Sequence, residues 1–71
     1  MTKPELLEVV ALTVDLPGQG LVRGQVGTVV DHLSTDHFEV EFSDDQGKTY
    51  ALLPVAADQL IVLHHAPVQT S

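Results

Sequence analysis

Seventy-one residues make at most one domain; 44% of them are hydrophobic, and ten acids stand against Lys3, Arg23 and Lys48 for a net charge of −7. No cysteine is present, which excludes disulfides and thiolate metal sites, and three scattered cations do not make the basic footprint that nucleic-acid binding requires. No run approaches the roughly 20 apolar residues of a membrane span, and the start Met-Thr-Lys-Pro-Glu lacks the charged region and apolar run of a signal peptide. The expected setting is therefore cytoplasmic, with no nucleic acid and no membrane as partner.

Residues 1–7 read as a lead-in with one helical turn around Pro4 to Leu7. Glu8 to Val14 is rich in β-branched residues and too short for a stable helix, which predicts a first strand. The loop that follows, Asp15-Leu16-Pro17-Gly18-Gln19-Gly20, carries Pro-Gly and a further glycine. Gln25 to Leu33 is the second strand. Gly27 interrupts its apolar run, as glycine does at a bulge or a close backbone approach.

His37 to Phe42 alternates strictly. Phe38, Val40 and Phe42 face one way, and His37, Glu39 and Glu41 the other, so one face is buried and one is wet. Ser43 to Lys48 is a tight turn with Gly47 suited to a positive φ. Thr49 to Leu53 returns as a fourth strand. A three-residue turn with a bulge sets Phe42 against Tyr50 and Val40 against Leu52. A four-residue turn instead brings Ala51 and Leu53 inside, and we expect the first register. Pro54 is expected to end this strand.

A single 3-10 turn in the Pro54 to Gln59 stretch then leads to a fifth strand, Gln59 to Leu63. Residues 64–71 read as a flexible C-terminal tail. The domain spans 8–63. The expected class is all-β: a small five-stranded SH3-like barrel with a single 3-10 turn before the last strand. An open five-stranded OB-like barrel is the alternative. The expected core is Val10, Leu12, Val26, Val29, Phe38, Val40, Phe42, Leu52 and Leu60.

Gly20-Leu21-Val22-Arg23-Gly24-Gln25-Val26-Gly27 is the segment most open to a chemical reading. A Walker-type loop needs lysine and serine or threonine after its last glycine, and Gln25 and Val26 follow Gly24 instead. A dinucleotide fingerprint needs Gly-x-Gly-x-x-Gly between a strand and a helix, and these glycines are spaced otherwise. Architecture is the better reading: Gly20 and Gly24 turn the loop back, and Gly27 permits a bulge that curls the sheet.

Arg23, the only arginine, is either one half of a surface ion pair or an anchor in a binding face. Glu39 and Glu41 share the wet face of the third strand, and Asp44 and Asp45 crown the hairpin. No nucleophile–base–orienter set is visible, so no catalytic residue is expected. His32, His37, His64 and His65 match no standard metal spacing, so no metal and no cofactor is expected. Leu16, Pro17, Leu21 and Val22 either close the barrel's end or meet a partner. One tyrosine and no tryptophan argue against recognition of proline-rich peptides. The candidate partner-binding set is Leu16, Leu21, Arg23, Glu39 and Glu41.

Leu7, Val9-Val10-Ala11-Leu12, Asp15-Leu16-Pro17 and Gly20-Leu21-x-x-Gly24-x-x-Gly27-Thr28-Val29-Val30, in that order, resemble a family of short bacterial proteins known as a domain of unknown function, DUF4926. Phe38 to Leu53 and Asp58 to Leu63 are similar to it too, so the resemblance covers about residues 6 to 63. It implies an SH3-like barrel and no assigned activity. It also implies genes standing alone or beside toxin-like genes, which points to partner binding or neutralisation. The glycine-valine segment is similar to KOW motifs as well, but those domains carry a basic surface that this chain lacks.

The function expected is a non-enzymatic protein-interaction module, antitoxin- or immunity-like in one concrete version, for a comparatively basic partner. A homodimer is a further expectation, because a short barrel leaves strand edges open. The alternatives are a KOW-like nucleic-acid-associated barrel and a small-molecule or metal-binding domain.

Overall fold

The computed structural model describes residues 4–64. Five antiparallel strands form one sheet: β1 (Val9–Leu12), β2 (Val26–His32), β3 (His37–Ser43), β4 (Thr49–Ala56) and β5 (Leu60–Val62). Their order is β4-β3-β2-β1-β5, so the fifth strand returns beside the first. The all-β class and the five strands expected from the sequence are thus present. No α-helix occurs among the described residues. The 3-10 turn before β5 spans Ala57–Gln59, and a second one, not expected from the sequence, spans Pro17–Gln19 in the first loop.

One face of the sheet, with Leu21 of the first loop, holds the main core cluster. Phe38, Val40 and Phe42 of β3 are buried against Val10 and Leu12 of β1, Val29 of β2, Val55 of β4 and Leu60 of β5. A single sheet encloses such a cluster only by curling, and bulges supply the bend. One lies at Val30, the extra residue between the pairs Val29–Val40 and Asp31–Glu39. The expected bulge at Gly27 is thus corrected. Gly27 pairs regularly with Val10 and Phe42, and it is a site of close approach. A Cβ there would lie 2.7 Å from Val40 Cγ1 and 2.9 Å from both the Glu41 carbonyl oxygen and Phe42 Cδ1.

The second bulge corrects the hairpin register. The turn itself closes as expected, with Asp44 N–H donating to the Lys48 carbonyl and Ser43 opposite Thr49. Tyr50 is then an extra residue, and beyond it Phe42 faces Ala51 and Val40 faces Leu53. A shift of one residue exchanges the two faces of a strand. Ala51, Leu53 and Val55 therefore turn inward, and Leu52, expected in the core, is 56% exposed. Val26 is likewise corrected: at 47% exposure it faces outward, opposite Ala11.

Pro54 does not end β4, which runs on to Ala56. β4 is an edge strand, where a proline can point its missing N–H away from the ladder. The lead-in also differs from the expected helical turn. Glu8 N–H donates to the Glu5 carbonyl across a single tight turn in which Leu7 has φ 68°. Pro4 is buried. Residues 65–71 of the expected tail lie outside the described residues.

Candidate functional site

The first loop is folded onto itself. Leu16 and Leu21 exchange backbone hydrogen bonds of 2.9 and 3.2 Å around the Pro17–Gln19 turn. Gly20 and Gly24, at φ 72° and 93°, make the reversals that L-residues resist. This places Leu21 in the core at 2% exposure and packs Leu16 against it. Leu21 is therefore not available as a surface contact. Leu21 is part of the core cluster, and Leu16 packs against that cluster half-buried.

Arg23 is exposed, and its backbone N–H donates to Asp15 Oδ1 at 2.8 Å. Among the described residues the only ion pair is His37 Nδ1 with Asp36 Oδ1, at 3.0 Å, and no carboxylate reaches Arg23 or Lys48.

Glu39 and Glu41 stand together on the convex face of the sheet, both half-buried. Glu41 lies between Thr28 of β2 and Leu52 of β4, and its Oε2 accepts a 2.6 Å bond from Thr49 Oγ1. Glu39 lies between Asp31 and Pro54. Further across the same face, Ile61, Ala11 and Val26 form a row over β5, β1 and β2. Ala11 is buried between its larger neighbours, and Ile61 and Val26 are exposed. The convex face thus combines two carboxylates with uncovered aliphatic side chains. Sequence reasoning found the carboxylates through the alternation of β3. It missed Leu52 and Val26, which it had assigned to the core.

Charge is segregated along the molecule. Arg23 sits in the loop before β2 and Lys48 in the β3–β4 hairpin, at the same end of the sheet, where Gln25 Nε2 donates to Tyr50 Oη at 2.9 Å. Asp15, Asp44 and Asp45 share that end. The other seven of the ten acids lie on the convex face, in the β2–β3 loop, in the Ala57–Gln59 turn and beside the Leu6–Leu7 turn, with no described cation among them.

A shallow notch of about 300 Å³ opens between the β2–β3 loop and the Ala57–Gln59 turn, lined by Asp36, His37, Ala56, Ala57 and Asp58. Hydrogen bonds from the His37 side chain and then from Ser34 hold the Asp36 carboxyl below its ordinary pKa. That direction keeps an acid ionised and does not poise it to move a proton. His32 packs edge-on against Phe38, with ring centroids 4.9 Å apart. Among the described residues no group of three or more His, Cys, Asp or Glu could hold a metal ion. His65 lies outside them.

No helix among the described residues is long and apolar enough to cross a membrane. Fold and surface together define a small all-β domain, one curled antiparallel sheet with an acidic, partly apolar outer face. The chain belongs to the family described as a domain of unknown function, DUF4926, whose profile matches residues 6–62. No curated protein and no solved structure matches it.

Proposed function

We propose that this protein is a non-enzymatic interaction module that binds a comparatively basic partner protein through the convex face of its sheet. The observation that carries this reading is the pairing of Glu39 and Glu41 with the exposed Leu52 and Val26, on a face that no described cation neutralises. Carboxylates of this kind steer a basic partner and fix its orientation, and the aliphatic neighbours supply area to bury. An antitoxin- or immunity-like role is one concrete form of this reading. The cysteine-free composition fits a cytoplasmic setting.

Affinity capture from source-cell lysate, read by mass spectrometry, tests the reading when wild type is compared with two variants. A stoichiometric basic protein kept by Arg23→Glu and lost by Glu39→Lys/Glu41→Lys supports the sheet face. Binding that survives the double reversal without salt dependence refutes it. Retardation of labelled RNA or DNA at low salt would favour the KOW-like alternative. A rise in melting temperature with a metabolite or metal panel would favour the small-ligand one.

A further inference from the structure

The turn before β1 sets a bulky apolar residue at a backbone angle that suits glycine, and leaves its side chain uncovered. Leu7 adopts φ 68°, a backbone conformation unfavourable for a bulky L-residue. Its side chain is 76% exposed, so burial does not offset that strain. Leu6 beside it is 56% exposed. The turn is nonetheless firmly held. Leu7 N–H donates to the Val29 carbonyl at 2.7 Å, Val29 N–H donates to the Glu8 carbonyl at 3.0 Å, and Glu5 N–H donates to Glu8 Oε1 at 2.8 Å. A glycine at position 7 would make the same backbone bonds without strain. Strained residues persist where the surrounding structure over-determines them, and they cluster at binding sites.

We propose that Leu6 and Leu7 form a pre-set apolar plug that inserts into an apolar pocket with a basic rim on a partner protein. The basic rim follows from charge: Glu5 and Glu8 flank the leucines and Asp31 lies two residues beyond Val29 on the neighbouring strand, three acids against Lys3 as the one cation nearby in the sequence, and Arg23 and Lys48 are in loops elsewhere. The same carboxylates disfavour a second copy of this chain, which would bring like charges together around the leucines. The plug rests on the reading of the protein as a binder of basic partners and adds a second, sequence-distant anchor to it. A turn fixed before contact loses little conformational freedom on binding.

The test places a photo-reactive benzophenone side chain at Leu6 of the full chain in source cells. The same replacement at Val22, 57% exposed, is the control for exposure, and one at Leu52 reports the convex face. The expected result is a Leu6 adduct with one basic protein that the Val22 position does not give. With that protein purified, Leu7→Gly should weaken its binding at least about tenfold, as loss of a buried apolar anchor does, while its melting temperature stays level or rises. No adduct above the Val22 background overturns the proposal, as does an adduct of twice the chain's mass or one with an acidic protein. An adduct at Leu52 alone overturns the plug and leaves the sheet-face reading standing. An adduct at Leu6 alone does the reverse.

Discussion

Gly27→Ala is a sharp probe of how closely β2 and β3 approach. The added methyl would meet Val40 Cγ1 at 2.7 Å, Phe42 Cδ1 at 2.9 Å and the Glu41 carbonyl oxygen at 2.9 Å. Val40 and Phe42 are fully buried and lack room to swing aside, and the carbonyl belongs to the strand paired with Gly27. Overpacking of this kind costs about 1–3 kcal/mol. The smaller entropy of the unfolded alanine chain returns about 0.4–1 kcal/mol, leaving a net loss of about 1.3 kcal/mol at the middle of both ranges. At about 4–8 °C per kcal/mol for a domain of this size, the melting temperature should fall by about 5–10 °C. Thermal and urea unfolding followed by far-ultraviolet circular dichroism measures this. Gly18→Ala is the control: nothing lies within 4 Å of its added methyl, so that variant should be level with wild type or more stable. A Gly27→Ala protein as stable as wild type would refute the close approach.

Phe42→Ala should cost about 3–5 kcal/mol, a large share of the about 4–11 kcal/mol expected for 71 residues at about 0.05–0.15 kcal/mol each; a variant that keeps wild-type urea resistance would contradict the burial of β3. Leu7→Gly relieves about 1–2 kcal/mol of left-handed strain against about 0.5–1 kcal/mol of added chain entropy, so its melting temperature should be level or slightly higher, and a clear drop would mean that the leucine packs in solution. The Asp36 carboxyl should titrate below its ordinary value by carbon-13 NMR and move up in Ser34→Ala. Because its folded pKa is lowered, its small contribution to stability is present above the unfolded midpoint near about pH 4 and is lost as pH falls through the folded one.

The strands were legible because each has a short apolar run or a strict alternation bounded by turn residues. β3 shows this best: its alternation gave the buried aromatics and the outward carboxylates together. What could not be read was phase. The Asp44 to Lys48 turn formed as its residues dictate, yet one unpaired residue at Tyr50 exchanged the faces of the rest of β4. That moved Leu52 out and Leu53 and Val55 in. Tyr50 carries no local mark of a bulge; its place is set by stacking on Phe42, with centroids 6.5 Å apart, and by the bond from Gln25. Leu21 was misplaced for a related reason. Loop composition points to the surface, and only the bridge to Leu16 reveals that the loop folds inward. The Leu7 backbone angle is a tertiary consequence of Val29 bonding on both sides of it, and a lone sequence offers no signal for it.

The uneven placement of charge has a kinetic consequence. Among the described residues Arg23 and Lys48 are gathered at one end with Asp15, Asp44 and Asp45, and the other seven acids are spread over the rest, so the described domain carries an electric dipole as well as a net charge. In the field of a cationic surface it experiences a torque before any contact is made, which turns the acid-rich side toward that surface. Charge changes well away from the contact would then alter how often encounters begin in a productive orientation. Their signature would be in the association rate and its ionic-strength dependence, while trimming Leu6 or Leu52 would act on how long the complex lasts.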